Sequence, residues 1–211
     1  MSDEGLLYSM TNYIRNAFHL DSKYPTIMCK STIDNRNYRV RDLPDKENAA
    51  NVLAKLRIRL EKMSNYLAQA HPNKPQVQRL LVNFKADPNR FLESTPDAEH
   101  TSYSVNKGES VYFCLRQREN DKLVDENVMM FVALHEMSHM LTQSIGHGPD
   151  FWNNFGWLLR EAESQGFYAH QDFKSHPTLY CGVTITDSPK YDVDKDEEKD
   201  GTDFTIGSIT K

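Results

Sequence analysis

The sequence predicts an α+β fold: a long helix packed on a small sheet, with additional helices on its N-terminal side. Three observations carry this. Val52, Leu56, Leu60, Met63 and Leu67 recur at helical spacing. Two short runs rich in strand formers flank Asn106-Lys107-Gly108, a hairpin-turn sequence. Between Val124 and Ile145 lies a helical stretch whose centre, Met129-Met130-Phe131-Val132-Ala133-Leu134, is apolar on every side, as a helix running through a core must be.

The elements follow in order. Residues 1–40 read as an N-terminal arm, with a short amphipathic helix over 6–18 and an irregular or extended stretch over 23–38. Pro44-Asp45 starts the first firm helix, which ends near His71-Pro72. A shorter helix is expected over 77–84, and 86–98, with its two prolines, reads as loop. Strands are expected over 102–105 and 110–115. The long helix over 124–145 carries Asp125 and Glu126 in its first turn, where they favour the helix dipole, and stops at Gly146. Pro149 opens another helix with Phe151, Phe155, Leu158, Leu159 and Ala162 as its stripe and Gly166 as its stop. Residues 178–186 read as one strand. Residues 41–188 thus form one domain, and 189–211 an acidic tail too poor in apolar residues to order itself.

The 211 residues suit a single core, and a formal net charge of −5 argues against a dedicated nucleic-acid binder. The first residues are acidic where a secretory signal needs basic ones, and no run is long and apolar enough to span a bilayer. The 3 cysteines, Cys29, Cys114 and Cys181, are far apart and form no close pair, which fits free thiols in a reducing compartment. The expectation is an intracellular protein, cytoplasmic or nuclear, neither secreted nor membrane-bound.

His135-Glu136-Met137-Ser138-His139 is an HExxH motif. Four residues advance an α-helix by one turn plus about 40°, so both imidazoles project from one face and can converge on a single Zn2+. Glu136 lies beside that face, placed to act as general base. Two histidines and a glutamate on a core helix are costly unless something satisfies them, and a metal does. A catalytic zinc needs a third ligand and an open position. Gly146 and Gly148 flank His147 and let the backbone swing it back towards the metal. Asp150, Glu161 and Glu163 are the rival third ligands.

The segment HEMSHMLTQSIGHGPDFW resembles the active-site region of the SprT-like and WLM (Wss1-like) zinc metallopeptidases of the zincin clan. These have HExxH, a short variable insert and a third histidine in a His-Gly-Pro-x-Phe type turn. The resemblance is strong over 128–159 and weaker out to Tyr180-Cys181-Gly182. Seven residues separate His139 from His147, against five in the metzincin pattern. The resemblance implies one Zn2+ per chain held by His135, His139 and His147, with Glu136 as base, in a zincin-like fold with a mixed sheet beside the active-site helix. It also implies a sheet edge that binds extended substrate by β-augmentation. Residues 110–115 are the candidate strand, with Val111 and Phe113 as substrate-binding residues. Tyr180, His170, His176 and Tyr103 are candidate oxyanion donors, Tyr180 and His170 foremost.

Peptide-bond hydrolysis by a Glu-activated water on zinc is the leading expectation, with protein or peptide substrates. DNA-associated substrates enter by resemblance only. The alternative is a catalytically silent, metal-stabilised structural or binding protein of a larger assembly. Its site would be closed by a fourth protein ligand.

Overall fold

A computed structural model describes residues 23–189 of the chain; the helix expected over 6–18 and nearly all of the acidic tail lie outside them. Strands β1 (Thr26–Lys30) and β2 (Asn37–Arg41) form a hairpin. Residues 26–30 and 37–40, which lie within the expected arm over 1–40, thus belong to strands of the main sheet. Helix α1 (Lys46–Ala70) follows, then α2 (Pro75–Asn83). Strand β3 (Phe91–Glu93), the hairpin β4 (Tyr103–Val105) and β5 (Ser110–Phe113), and helices α3 (Glu126–Leu141) and α4 (Pro149–Ser164) come next. A last hairpin joins β6 (Thr178–Tyr180) to β7 (Val183–Ile185). The architecture is α+β, as the sequence predicts.

The main sheet has the order β1-β2-β3-β5-β4. Its pairs β2·β3 and β3·β5 are parallel and its two outer pairs antiparallel, so the sheet is mixed. Strand alternation gives it two unlike faces. Tyr38, Val40, Phe91, Val111 and Phe113 are buried on one. Arg39, Leu92, Tyr112 and Tyr103 stand in register across the other and are only half-buried. Helix α1 packs against β1, β2 and β3, while α3 packs against α1, α2 and α4.

Three expectations are corrected. Residues 91–93, read as loop between prolines, are a strand, because Phe91 inserts into the core between β2 and β5 and tertiary pairing overrides a weak local signal. The expected strand over 178–186 is two strands around Cys181-Gly182, both at positive φ (49° and 84°), the backbone of a tight hairpin turn. Helix α3 ends at Leu141, short of Gly146. Its last carbonyls are taken by side chains from elsewhere: Arg79 donates to Leu141, Asn83 to Met140, and the Lys107 ammonium to Thr142 and Gln143 at 2.7 Å each. Its start is as expected, with Asp125 as the cap accepting from the Asn127 and Val128 N–H groups.

The reading of three free thiols is also corrected. Cys114, just past β5, is bonded to Cys181 in the last hairpin, and only Cys29 is free. Sequence separation hid the pair, because residues 67 positions apart meet only through the fold. No helix among the described residues is long and apolar enough to cross a membrane.

Candidate metal centre

Helix α3 runs through the core, with Met129, Met130, Ala133, Leu134 and Met137 buried around it. That leaves one face for polar groups. His135 and Glu136 are buried there, His139 is half-buried, and His147 is the most exposed of the three histidines. One ring nitrogen from each histidine lies within 4.8 Å of the others. The Nε2 atoms of His135 and His147 are 3.1 Å apart. Two nitrogens bound tetrahedrally at zinc's usual distance stand about 3.3 Å apart, so the spacing suits a shared ion.

Aromatic side chains from α4 set the rings. Phe151 stacks on His139 at 4.4 Å and meets His135 and His147 edge-on at 4.9 and 4.7 Å. Trp152 stacks on His147 at 5.6 Å. Gly146, at φ +85°, turns the chain so that His147 points back over α3. Phe151 appears in the sequence in a helical stripe and in the His-Gly-Pro-x-Phe turn, and Trp152 closes the same segment, but nothing local to either residue marks it as a wall of the histidine cluster.

Burial and mutual repulsion keep the imidazoles neutral. Burial lowers the His135 pKa well below its ordinary value, pushes His139 down to about 4 and lowers His147, with neighbouring histidines adding to the first two. Neutral imidazole is the ligating form. The donor set therefore fits a metal ion by nitrogen type, spacing and protonation. The Nδ1 atom of His135 is buried without a hydrogen-bond partner. That departs from the usual second hydrogen bond of a ligating histidine.

Glu136 is buried beside the cluster, and burial pushes its carboxyl up to about 8 against hydrogen bonds from the Ser104 hydroxyl and N–H. A cation held by the three imidazoles would pull that value back down. Ser104 sits on β4, on the sheet face turned towards α3. It is a site residue that sequence reading missed, although its alternation with Ser102 was visible.

The rival ligands are engaged elsewhere. Glu161 accepts from Tyr66 and Trp157 and pairs with His71 at 3.0 Å. Asp150 accepts from Ser144 at 2.6 Å, and Glu163 lies 3.5 Å from His170. Among the described residues no carboxylate or thiol joins the three histidines.

Of the oxyanion candidates, Tyr180 is buried close enough to Glu136 for the two to interact electrostatically, and its hydroxyl is 2.6 Å from Ser102 Oγ. Burial raises its pKa, so it stays protonated and able to donate. The structure does not bring His170 to the site. It follows Ala169, which Asn127 holds at the start of α3, two turns and roughly 12 Å along the helix from His135. His176 is exposed on the loop before β6, and Tyr103 points to the far face of the sheet, stacked on Tyr112. Strand β5 is interior, not an edge, and Val111 and Phe113 are buried core residues. The edge nearest α3 is β4. The strand-forming run at 110–115 looked edge-like because sequence does not reveal pairing partners.

Beside His135 lies a narrow, apolar cleft with about 20 Å³ of accessible space, lined by Phe131, Val132, Tyr180, Val183 and Ile185.

Fold and site together define an α+β protein with a three-histidine cluster built on a His-Glu-Met-Ser-His helix. No family model matches the chain. It belongs to the same family as R325 of Acanthamoeba polyphaga mimivirus, an uncharacterized protein, with 32% identity over 160 residues covering 74% of this chain and 80% of that protein. It is similar to the uncharacterized protein 042R of Invertebrate iridescent virus 3, 36% identical over 85 residues, 40% of this chain and 52% of the relative. The uncharacterized protein 136R of Invertebrate iridescent virus 6 is 33% identical over 82 residues, 38% of this chain and 44% of the relative. Among solved structures it is similar to Wss1 from Saccharomyces cerevisiae, with a TM-score of 0.43 and 21% identity, covering 60% of this chain and 89% of that one.

Proposed function

We propose that the protein is a zinc-dependent metallopeptidase, with His135, His139 and His147 as ligands of one Zn2+ and Glu136 as general base. The observation that carries this is the convergence of three neutral imidazoles, open on the His147 side, with a buried carboxylate next to them on the same helix. A structural site would be closed by a fourth ligand and would have no use for that carboxylate. The likeness of HEMSHMLTQSIGHGPDFW to SprT-like and WLM segments supports the same reading.

Zinc, when bound, supplies a Lewis acid that makes water a nucleophile at neutral pH and polarises a carbonyl. Glu136 accepts the proton of the attacking water and returns it to the leaving amide nitrogen. Ser104 orients the Glu136 carboxylate from β4 through its hydroxyl and N–H. With Ser102 donating to Tyr180, the Tyr180 O–H is left to donate to the developing oxyanion. The substrate class proposed is protein or peptide. Proteins associated with DNA enter only through the family resemblance.

The test pairs metal analysis with digestion of unfolded protein. Wild type should carry one zinc and cleave. Glu136→Gln should keep the metal and lose roughly two to four orders of magnitude in turnover, the usual worth of a positioned acid–base group. Metal-replete wild type that cleaves neither unfolded proteins, peptides nor DNA-linked proteins sinks the reading.

A further inference from the structure

We propose that Lys107 is a positioning residue for the third histidine: from the β4–β5 turn its ammonium holds the backbone that leads from α3 to His147, and so sets where His147 meets His135 and His139. The inference deepens the metal-site reading and rests on it.

The stretch between the second and third histidines has little else to hold it. Residues 143–147 are all exposed, Ile145 to 94%. A Cβ added at Gly146 would meet nothing within 4 Å. Burial therefore cannot fix this loop. Its far end is fixed at the start of α4, where Phe151 and Trp152 face the His147 ring. Its near end is fixed by hydrogen bonds. Asn154 donates to Thr142 Oγ1 at 2.9 Å, and Ser144 to Asp150 at 2.6 Å on the exposed side. The backbone itself is held by Lys107, whose Nζ donates to the carbonyls of Thr142 and Gln143 at 2.7 Å each and of Ser144 at 3.4 Å.

These bonds reach further than a helix cap. Helix α3 ends at Leu141 with Thr142 as its C-cap, and Asn83 and Arg79 take the carbonyls of Met140 and Leu141. Two of the three Lys107 acceptors, Gln143 and Ser144, lie beyond the cap, on the way to His147.

The root of the lysine is fixed too. The Gly108 N–H donates to Val105 O at 3.0 Å and closes the turn. Gly108 is pressed against α2 and α3: a Cβ there would stand 3.0 Å from Asn83 O and from Met140 Sδ. Lys107 itself has φ 53°, a left-handed conformation that suits asparagine or glycine better than lysine. A role for its side chain accounts for that local strain.

Charge alone works the other way. The ammonium is close enough to His139 to disfavour positive charge there, so it opposes a cation at the cluster. Holding His147 and repelling a cation therefore predict opposite signs when the amine is removed.

The test uses the full chain with zinc as the probe. Affinity is read by competition with a chromophoric chelator, and the His147 ring signals are read in the metal-free protein. Lys107→Asn suits the turn and removes the reach; Lys107→Met keeps the aliphatic stem and removes the donor. Each should weaken zinc binding about ten- to a hundred-fold, the usual effect of losing a group that orients a ligand. Each should also shift or broaden the His147 ring signals while those of His135 stay native. Lys107→Arg, which keeps charge and donors, should recover most of the affinity. In a His147→Ala background Lys107→Asn should change zinc affinity by less than about two-fold, because the lysine acts through that histidine. Unchanged or tighter zinc binding in the single variants, or the same loss with and without His147, overturns the proposal. If wild type takes up no zinc while the His147 signals still move, the positioning stands and the metal reading falls.

Discussion

Most of the site's chemistry is readable at single residues, and its support is not. His135, Glu136 and His139 follow from helical spacing alone, and His147 from the two glycines around it, because in each case the geometry is local. Ser104, Phe151 and Trp152 escaped because their roles depend on contacts across elements. Val111 and Phe113 were misplaced for the same reason: strand character is local, and position within a sheet is not. The local and non-local parts make separate predictions. His139→Ala removes one of the three clustered imidazoles, so on the proposed reading zinc content should fall and, since bound metal stabilises the native state by linkage, the melting temperature with it. Ser104→Ala should leave zinc content unchanged. It deletes a hydroxyl that favours the ionised Glu136, so the carboxyl pKa rises and the acidic limb of the pH–rate profile moves to higher pH, by up to about one unit for one hydrogen bond. An unmoved limb would mean that the Ser104 N–H alone holds the carboxylate.

Long helices were legible as elements, because α1 and α4 repeat an apolar stripe over many turns. Short strands were not, since three residues of β3 between prolines carry too little pattern. The end of α3 was misread because the groups that stop it, Arg79, Asn83 and Lys107, come from other elements. The join between the first hairpin and α1 is similarly non-local. Arg57, buried within α1, donates to Asp34 in the β1–β2 turn and to the Tyr38 hydroxyl on β2. Burial raises the Asp34 pKa, but hydrogen bonds from Tyr38, Arg36 and Arg57 outweigh it and hold the carboxyl below its ordinary value. A carboxyl lowered on folding adds stability that is fully present above its unfolded pKa, near 4, and is lost as pH falls through the folded value. Asp34→Asn should therefore destabilise by roughly 1–3 kcal/mol at pH 7, the cost of leaving a buried charged group short of a partner. Urea melts of both proteins should converge as the pH drops below about 4. A gap that stays constant between pH 7 and pH 3 would show that the ion pair is not its source.

At the scale of the whole molecule, the sheet and the α3–α4 pair make two walls, and the last hairpin closes the space between them. That hairpin has two strands of three residues each, too little on its own to hold a shape in water. What fixes it is the bond between Cys181 and Cys114, reinforced by Gln117 and by Tyr180 against Ser102. The cysteines were visible in the sequence, but nothing local marked them as partners. Cross-linking residues 67 positions apart restricts the unfolded chain by about 4 kcal/mol in the loop-entropy account. Engineered and native cases more often deliver about 2–4 kcal/mol. A reductant should thus lower the melting temperature of wild type, and Cys181→Ser should show the lower value with or without reductant. The two perturbations should not add, since both remove the same bond. Within the folded protein the effect should be local: the α3 signals around His135 and His139 should stay native and zinc should remain bound, because none of the three clustered histidines lies on the hairpin. Methyl signals of Val183 and Ile185 should broaden as that wall loosens. Reduction that releases the zinc, or that leaves both melting temperature and hairpin signals unchanged, would show that the bond does not divide the molecule in this way.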